Sequence, residues 1–296
     1  MWIEKYRPKT LSEVVGQENV VKTISGLAKL PPAEIPHLLL QGPPGVGKTT
    51  VAHALANDLG AEIREWNAST DRGIDVVRND IISFAQTYPV NSTYPRKILF
   101  LDEADNLTPD AQRALRRVME KYYKATIFIL GVNDPYMIID AIQSRCAPIN
   151  FPPLSDENLK VLGRDILAKE NKTIDDNSLQ KIVSASRGSA RNLINLMVQY
   201  LVGGLVNVNL FNATEYLELV KSGNYEEAVF FLRAHRFADV VNGLLDHFSG
   251  MVDNPRMLKL MIKLADYVLL NPQPDDVVGK KTITLLMIAN YRFPSS

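Results

Sequence analysis

The segment Gly42-Pro43-Pro44-Gly45-Val46-Gly47-Lys48-Thr49 constrains this chain more than any other. It follows an apolar run, His37–Gln41 (HLLLQ), and leads into a helical pattern from Lys48 to Asp58. A glycine-rich loop between a strand and a helix lets backbone N–H groups wrap a phosphate, and the helix N-terminus adds its positive end. In that setting Lys48 reaches the β and γ phosphates of ATP, and the Thr49 hydroxyl ligates Mg2+. The whole stretch from Gly42 through Thr50 is therefore the expected nucleotide-binding segment. A bare glycine-rich turn is the alternative, and the match of both flanks argues against it.

The surroundings fit an open α/β sheet. His37–Gln41, Glu62–Trp66, Lys97–Asp102, Thr126–Gly131 and Pro148–Phe151 read as strands, several of them apolar at consecutive positions, as strands covered on both faces are. Helical patterns lie between them at about 18–29, 48–58, 73–87, 109–122 and 135–143. Alternation of this kind predicts a parallel sheet with helices on both faces. From Phe151-Pro152-Pro153-Leu154 onward only helical patterns remain. Ser155 caps a helix to about Lys169, Asp175 or Asp176 opens the next, and Gly188 precedes a third. Five more amphipathic segments follow, near 213–221, 224–234, 236–250, 254–270 and 275–290. The divisions expected are 1–151, 152–207 and 208–296.

Composition narrows the classes. Lys plus Arg and Asp plus Glu both number 33, which excludes a globally basic nucleic-acid binder but not a local basic surface. One cysteine, Cys146, precludes a disulfide within the chain and fits a reducing compartment. No apolar run approaches the ~20 residues of a membrane span, and no signal-peptide core opens the sequence, so no membrane partner is expected.

Five further elements bear on chemistry. Ile98–Leu101 is a buried strand that releases Asp102 and Glu103 at its C-terminal end, where open sheets hold ligands. Asp102 is expected to bind Mg2+, and Glu103 to orient or deprotonate the attacking water. Asn133 ends the next strand; it either hydrogen-bonds the γ phosphate or the water, or serves as a turn residue before Asp134-Pro135. Arg145 ends a helix, where it is either a cation favoured by the dipole or an arginine finger offered to a neighbouring subunit. Arg191 opens a helix of the second division and either faces solvent or folds back on the γ phosphate. In Pro109–Lys124, Ala114, Leu115, Val118, Met119 and Tyr122 form an apolar stripe, and Arg113, Arg117, Lys121 and Lys124 form a basic ridge. That ridge is either a solvated face or a track for a phosphate backbone.

Together these residues closely resemble the small subunit of replication factor C, the AAA+ clamp loader of archaea and eukaryotes. The resemblance is most specific in Trp2–Pro8 with Val14-Val15-Gly16-Gln17, in Gly42–Thr50, in Asn67–Asp75, in Leu101–Ala104 with Asp110–Glu120, and in Gln143–Cys146. It implies an α/β P-loop AAA+ module followed by an all-helical lid and an all-helical collar that holds a five-subunit spiral together. It also implies an adenine pocket around Tyr6, Arg7, Pro8, Val14 and Val15. Asn133 matches the sensor-1 position, Arg191 the sensor-2 position, and Arg145 the trans-acting finger. The implied partners are the large subunit, other small subunits, the sliding clamp and primer–template DNA. The implied cofactors are ATP and Mg2+, and the implied compartment is an archaeal cytoplasm, or a nucleus if the source is eukaryotic. The clamp contact implied lies in the helix after Gly73 and the loop through Tyr88–Tyr94; Phe84, Tyr88 and Tyr94 also read as partly core. Arg78 matches a DNA-contacting arginine, but Asp80 and Ile82 stand where the family usually has lysines, which weakens the expected contact there. Two other classes share the P-loop and acidic strand: a branch-migration or recombination-linked AAA+ motor, and a loader subunit that binds ATP without hydrolysing it.

Overall fold

The computed structural model describes residues 1–70, 73, 75, 77–89, 92–203, 213–233, 240, 243, 244 and 247. They fall into two compact units, Met1–Val206 and Asn207–Ser296.

The first unit opens with a short helix, α1 (Trp2–Lys5), and then α2 (Glu18–Ala28). Strand β1 (His37–Gln41) leads through the glycine-rich loop into α3 (Lys48–Leu59). Strand β2 (Ile63–Asn67) is followed by a wide helical turn, Val77–Ile81, which runs on into α4 (Ile82–Gln86). Next come β3 (Lys97–Asp102), α5 (Pro109–Tyr122), β4 (Thr126–Val132), α6 (Asp140–Gln143) and β5 (Cys146–Asn150). All strand pairs are parallel, in the order β2-β3-β4-β1-β5.

Consecutive apolar residues bury in β1, β3 and β4 because these central strands have helices on both faces. Leu39, Leu99, Leu101, Phe128 and Leu130 point to one side, where Leu115, Val118 and Met119 of α5 meet them. Leu38, Leu40, Ile98, Phe100, Ile127 and Ile129 point to the other, against Val20 and Ile24 of α2 and Val51 and Leu55 of α3. Burying each such side chain contributes about 1.5–3 kcal/mol, so this double-sided core anchors the loops at its edge.

Three helices form a lid: α7 (Asp156–Lys169), α8 (Asp176–Ser186) and α9 (Ala190–Gly203). Ser155 caps α7 by accepting from the Asn158 N–H, and Asp175, rather than Asp176, caps α8 by accepting from the Ser178 N–H. Leu159, Ile166, Ile182, Leu193 and Met197 make the lid core, and Trp2, Ile3 and Tyr6 pack against it. Gln17, 3 % exposed, joins lid to sheet module: its Nε2 donates to the Val46 carbonyl at 3.3 Å and the Pro152 carbonyl at 2.9 Å. In the second unit, α10 (Ala213–Lys221) buries Tyr216, Leu217 and Val220, and α11 (Tyr225–Arg233) buries Ala228 and Leu232. The helices expected at 236–250, 254–270 and 275–290 lie almost wholly outside the described residues. No helix among the described residues is long and apolar enough to cross a membrane.

Several expectations need correction. The helix expected over 135–143 is a short turn, Pro135–Met137, and a separate α6. The cause lies on α5: the Gln112 carboxamide donates to the Met137 carbonyl and accepts from the Ile139 N–H, taking backbone groups that a continuous helix would use. Strand β5 starts two residues before Pro148, its Cys146 level with His37 of β1. Over 73–87 Asp75 is helical, and the stretch from Val77 to Ile81 is wide before α4. Tyr88 is not core; it is 70 % exposed, whereas Phe84 is buried.

Candidate active site

Strand order puts three motifs on neighbouring strand ends. β4 lies between β3 and β1, and Gln41 is level with Val132 while Leu101 is level with Leu130. The glycine-rich loop after β1, Asn133 after β4 and Asp102-Glu103 at the end of β3 therefore meet at the carboxyl edge, where open α/β sheets bind ligands. Gly131 makes room for this approach: a Cβ there would sit 3.1 Å from both Asp102 Oδ1 and the Phe100 ring.

Lys48 is 7 % exposed. Its ammonium donates to the carbonyls of Gly42 (2.5 Å) and Pro43 (3.0 Å) and to Asn133 Oδ1 (2.9 Å). Burial pulls its pKa below the usual lysine value, against the attraction of Asp102 and Asp105. At the next residue, Thr49 Oγ1 donates to Asp102 Oδ2 at 2.9 Å. Burial raises the Asp102 pKa, while that hydroxyl and the Glu103 N–H oppose the rise. A hydroxyl and a carboxylate side by side are hard oxygen donors of the kind Mg2+ takes together with phosphate and water. Among the described residues no group of three or more His, Cys, Asp or Glu side chains could hold a metal ion by itself.

Glu103 has φ 52°, a left-handed conformation that a glutamate adopts at a cost of order 1–3 kcal/mol. Its Oε2 accepts from Asn106 at 3.4 Å, and its side chain lines the cleft. Pro44 to Thr50, Asp102, Glu103, Asn133 and Arg191 line the phosphate end. Tyr6, Arg7, Pro8, Val14 and Val15 line the other end with Ile3, Leu162 and Ile194, giving it an apolar lining suited to a base. Gly42 and Pro43 do not line the cleft; their carbonyls hold Lys48 from behind. The lid touches the loop directly, since the Ala190 N–H donates to the Gly45 carbonyl at 3.0 Å. Gly45 has φ 81°, and a Cβ there would lie 2.1 Å from Ser189 Oγ, so only glycine fits beneath the lid.

Arg145 lies outside the cleft. Its Nη1 donates to the Ala141 carbonyl at 2.5 Å, and its Nη2 pairs with Glu120 of α5. Within the chain it is thus the helix C-terminal cation. Arg113, Arg117 and Lys121 form the exposed face of α5, with Arg113 paired to Asp110. The side chain of Arg78 lies outside the described residues.

Sequence reasoning gave no role to Asp105, whose Oδ2 accepts from the N–H groups of Asn133 (3.1 Å) and Asp134 (3.2 Å) and so sets the loop that carries the amide. It also passed over Gln112. Its signal was a polar residue in register with the buried Leu115 and Met119.

The family model for the ATPase family associated with various cellular activities (AAA) matches residues 38–154. The replication factor C small subunit of Archaeoglobus fulgidus is 44 % identical over 244 residues, 77 % of this chain and 76 % of that protein. That of Staphylothermus marinus is 43 % identical over 243 residues, 77 % of this chain and 73 % of that one. Among solved structures, the Thermotoga maritima RuvB Holliday junction branch migration motor aligns with TM-score 0.58 at 24 % identity, covering 67 % of this chain and 65 % of that chain, a likeness of fold alone. Sharing residues 38–154 with the AAA ATPases and about three quarters of its length with these archaeal proteins, the chain belongs to the replication factor C small-subunit family of AAA+ clamp-loader ATPases.

Proposed function

We propose that the cleft binds ATP with Mg2+ and hydrolyses it to drive the opening and loading of a sliding clamp onto primer–template DNA. The observation that carries this reading is the pair of contacts Lys48–Asn133 and Thr49–Asp102, each 2.9 Å, on three adjacent strand ends. Pro44 to Thr50 cradle the triphosphate, with Gly42 and Pro43 positioning Lys48 from behind, and Lys48 carries a charge that burial has left poorly solvated, which favours a phosphate partner. Thr49 and Asp102 would hold Mg2+, which would supply charge neutralisation to the phosphates. Glu103 orients the attacking water in line with the γ phosphate, and Asn133, with its Oδ1 turned to Lys48, keeps its amide N–H groups for that phosphate or the water. Arg191, on the first turn of α9, brings lid charge to the same end. Tyr6, Arg7, Pro8, Val14 and Val15 take the adenine.

Arg145 points away from its own site and is read as the finger of a neighbour's, so activity belongs to an assembly. That assembly comprises the large subunit and other small subunits in a spiral held by the collar, 208–296, with the AAA+ module at 1–151 and the lid at 152–207. Arg113, Arg117 and Lys121, repeated on each subunit, follow the phosphate backbone without reading sequence; Arg78, two residues before Asp80, adds to this. The relatives are archaeal, so the compartment proposed is an archaeal cytoplasm.

The test is ATP turnover by the chain reconstituted with its large subunit, with and without clamp and primed DNA. Clamp and DNA together should raise the rate, and Arg145→Ala should lower it about 10³-fold. A rate indifferent to clamp and primer would sink the loading role, and an unaffected Arg145→Ala complex would sink the finger.

A further inference from the structure

The base end of the cleft is hung on the lid, not on the sheet. Trp2, Ile3 and Tyr6 pack into the lid core. Glu170, the C-cap residue that follows α7, accepts through a single oxygen from both the Lys5 ammonium and the Tyr6 hydroxyl, each at 2.7 Å. A carboxylate at a helix C-terminus faces the negative end of the dipole and is disfavoured there by itself. Lys5 and then Tyr6 hold its carboxyl below the usual carboxylate range, so these contacts offset the wrong-sign placement. Three residues on, the chain belongs to the sheet module: the Leu11 N–H donates to Asp58 Oδ2 at 3.0 Å, Asn57 Nδ2 donates to the Lys9 carbonyl at 2.9 Å, and Leu11 is buried beside β1 and α3. Only Arg7 and Pro8 span the gap, and both line the cleft.

We propose that Glu170 is a positioning residue for the nucleotide base: by fastening Lys5 and Tyr6 to the end of α7 it fixes the strap Tyr6-Arg7-Pro8 over the cleft, so that base affinity depends on a lid residue that touches no nucleotide atom. This rests on the reading of the cleft as an ATP site. The lid face opposite the strap, Leu162 and Ile194, then forms the far wall of one base slot. Phosphate binding at Gly45–Thr50 is independent of the hook, because those residues are held by β1 and α3.

Calorimetric titration of the full chain with ATP and with inorganic tripolyphosphate separates the two ends. Glu170→Ala should weaken ATP binding about tenfold, the loss of one charge-assisted hydrogen bond, and leave tripolyphosphate affinity unchanged. Glu170→Gln, whose amide oxygen still accepts from Tyr6, should recover most of the loss. Equal weakening of both ligands, or no weakening of ATP, overturns the hook. So does a wild-type chain that binds ATP no better than tripolyphosphate, while the phosphate site stands. A wild-type chain that binds neither overturns the nucleotide reading and the hook with it.

Discussion

Two lysines of the sheet module are buried at opposite edges of the sheet, Lys48 beyond the carboxyl end of β1 and Lys97 at the amino end of β3. Each donates to backbone and to one side-chain oxygen: Lys48 to the carbonyls of Gly42 and Pro43 and to Asn133, Lys97 to the carbonyl of Phe84 and, at 2.6 Å, to Thr87. Burial lowers the pKa of both. Neither burial nor charge tells them apart; location does. Lys48 borders a cleft, so its partners can be exchanged for phosphate oxygens. Lys97 sits over the Phe84 ring, 4.0 Å from its centre, and closes off α4. Its neighbours at the amino edge behave likewise. Arg96 donates to the carbonyls of Pro32, Ile35 and Thr126, and His37 Nδ1 accepts from the Phe128 N–H. One edge of the sheet holds polar groups for chemistry and the other holds them for the fold.

The sharpest way to break this contrast is to remove each lysine. Lys48→Ala should cut ATP turnover in the assembled complex about 10²–10³-fold, the range for losing one preorganised donor, with little change in the urea midpoint. Lys97→Ala should do the reverse, costing about 2–4 kcal/mol through stranded acceptors and leaving the KM for ATP unchanged. If Lys97→Ala alters KM at unchanged stability, the amino edge is not merely structural. The smallest effect is a matter of pH. Burial pushes the His37 pKa down to about 4, below its unfolded value. Its neutral form is therefore compatible with the fold above about pH 6.5, and stability is lost as pH falls from there through the folded pKa, by about 3 kcal/mol at most. Urea midpoints between pH 7.5 and 4.5 should shift less in His37→Gln than in the wild type; equal shifts would assign the acid sensitivity to other groups.

The carboxyl edge was legible because its signals are contiguous. The glycine-rich loop, the strand ending in Asp102-Glu103 and the strand ending before Asn133 each announce themselves within a few residues, and parallel topology brings them together. The amino edge was not, because Lys97 is an ordinary strand-opening residue until Phe84 and Thr87, held by a different element, reach it. Gln112 illustrates the same limit: a tertiary hydrogen bond from α5 splits a helix that periodicity alone draws as continuous. Glu170 is invisible for a third reason, since its partners lie 165 and 164 residues earlier. What short-range pattern encodes is the phosphate end; what long-range packing encodes is the base end.

The path of the chain through the lid has a mechanical consequence. The lid is tied to the sheet module at two places: through Arg7-Pro8, whose preceding residues Trp2, Ile3 and Tyr6 pack on the lid, and by the covalent link Phe151–Leu154, pinned by Gln17 at the Pro152 carbonyl. Two attachment points define a line, as two pins define the swing of a door. Rotation about that line is the one large motion that stretches neither crossing, and it carries Ala190 and Arg191 toward or away from Gly45. A body with a single soft axis turns a small change at the phosphates into a fixed direction of swing.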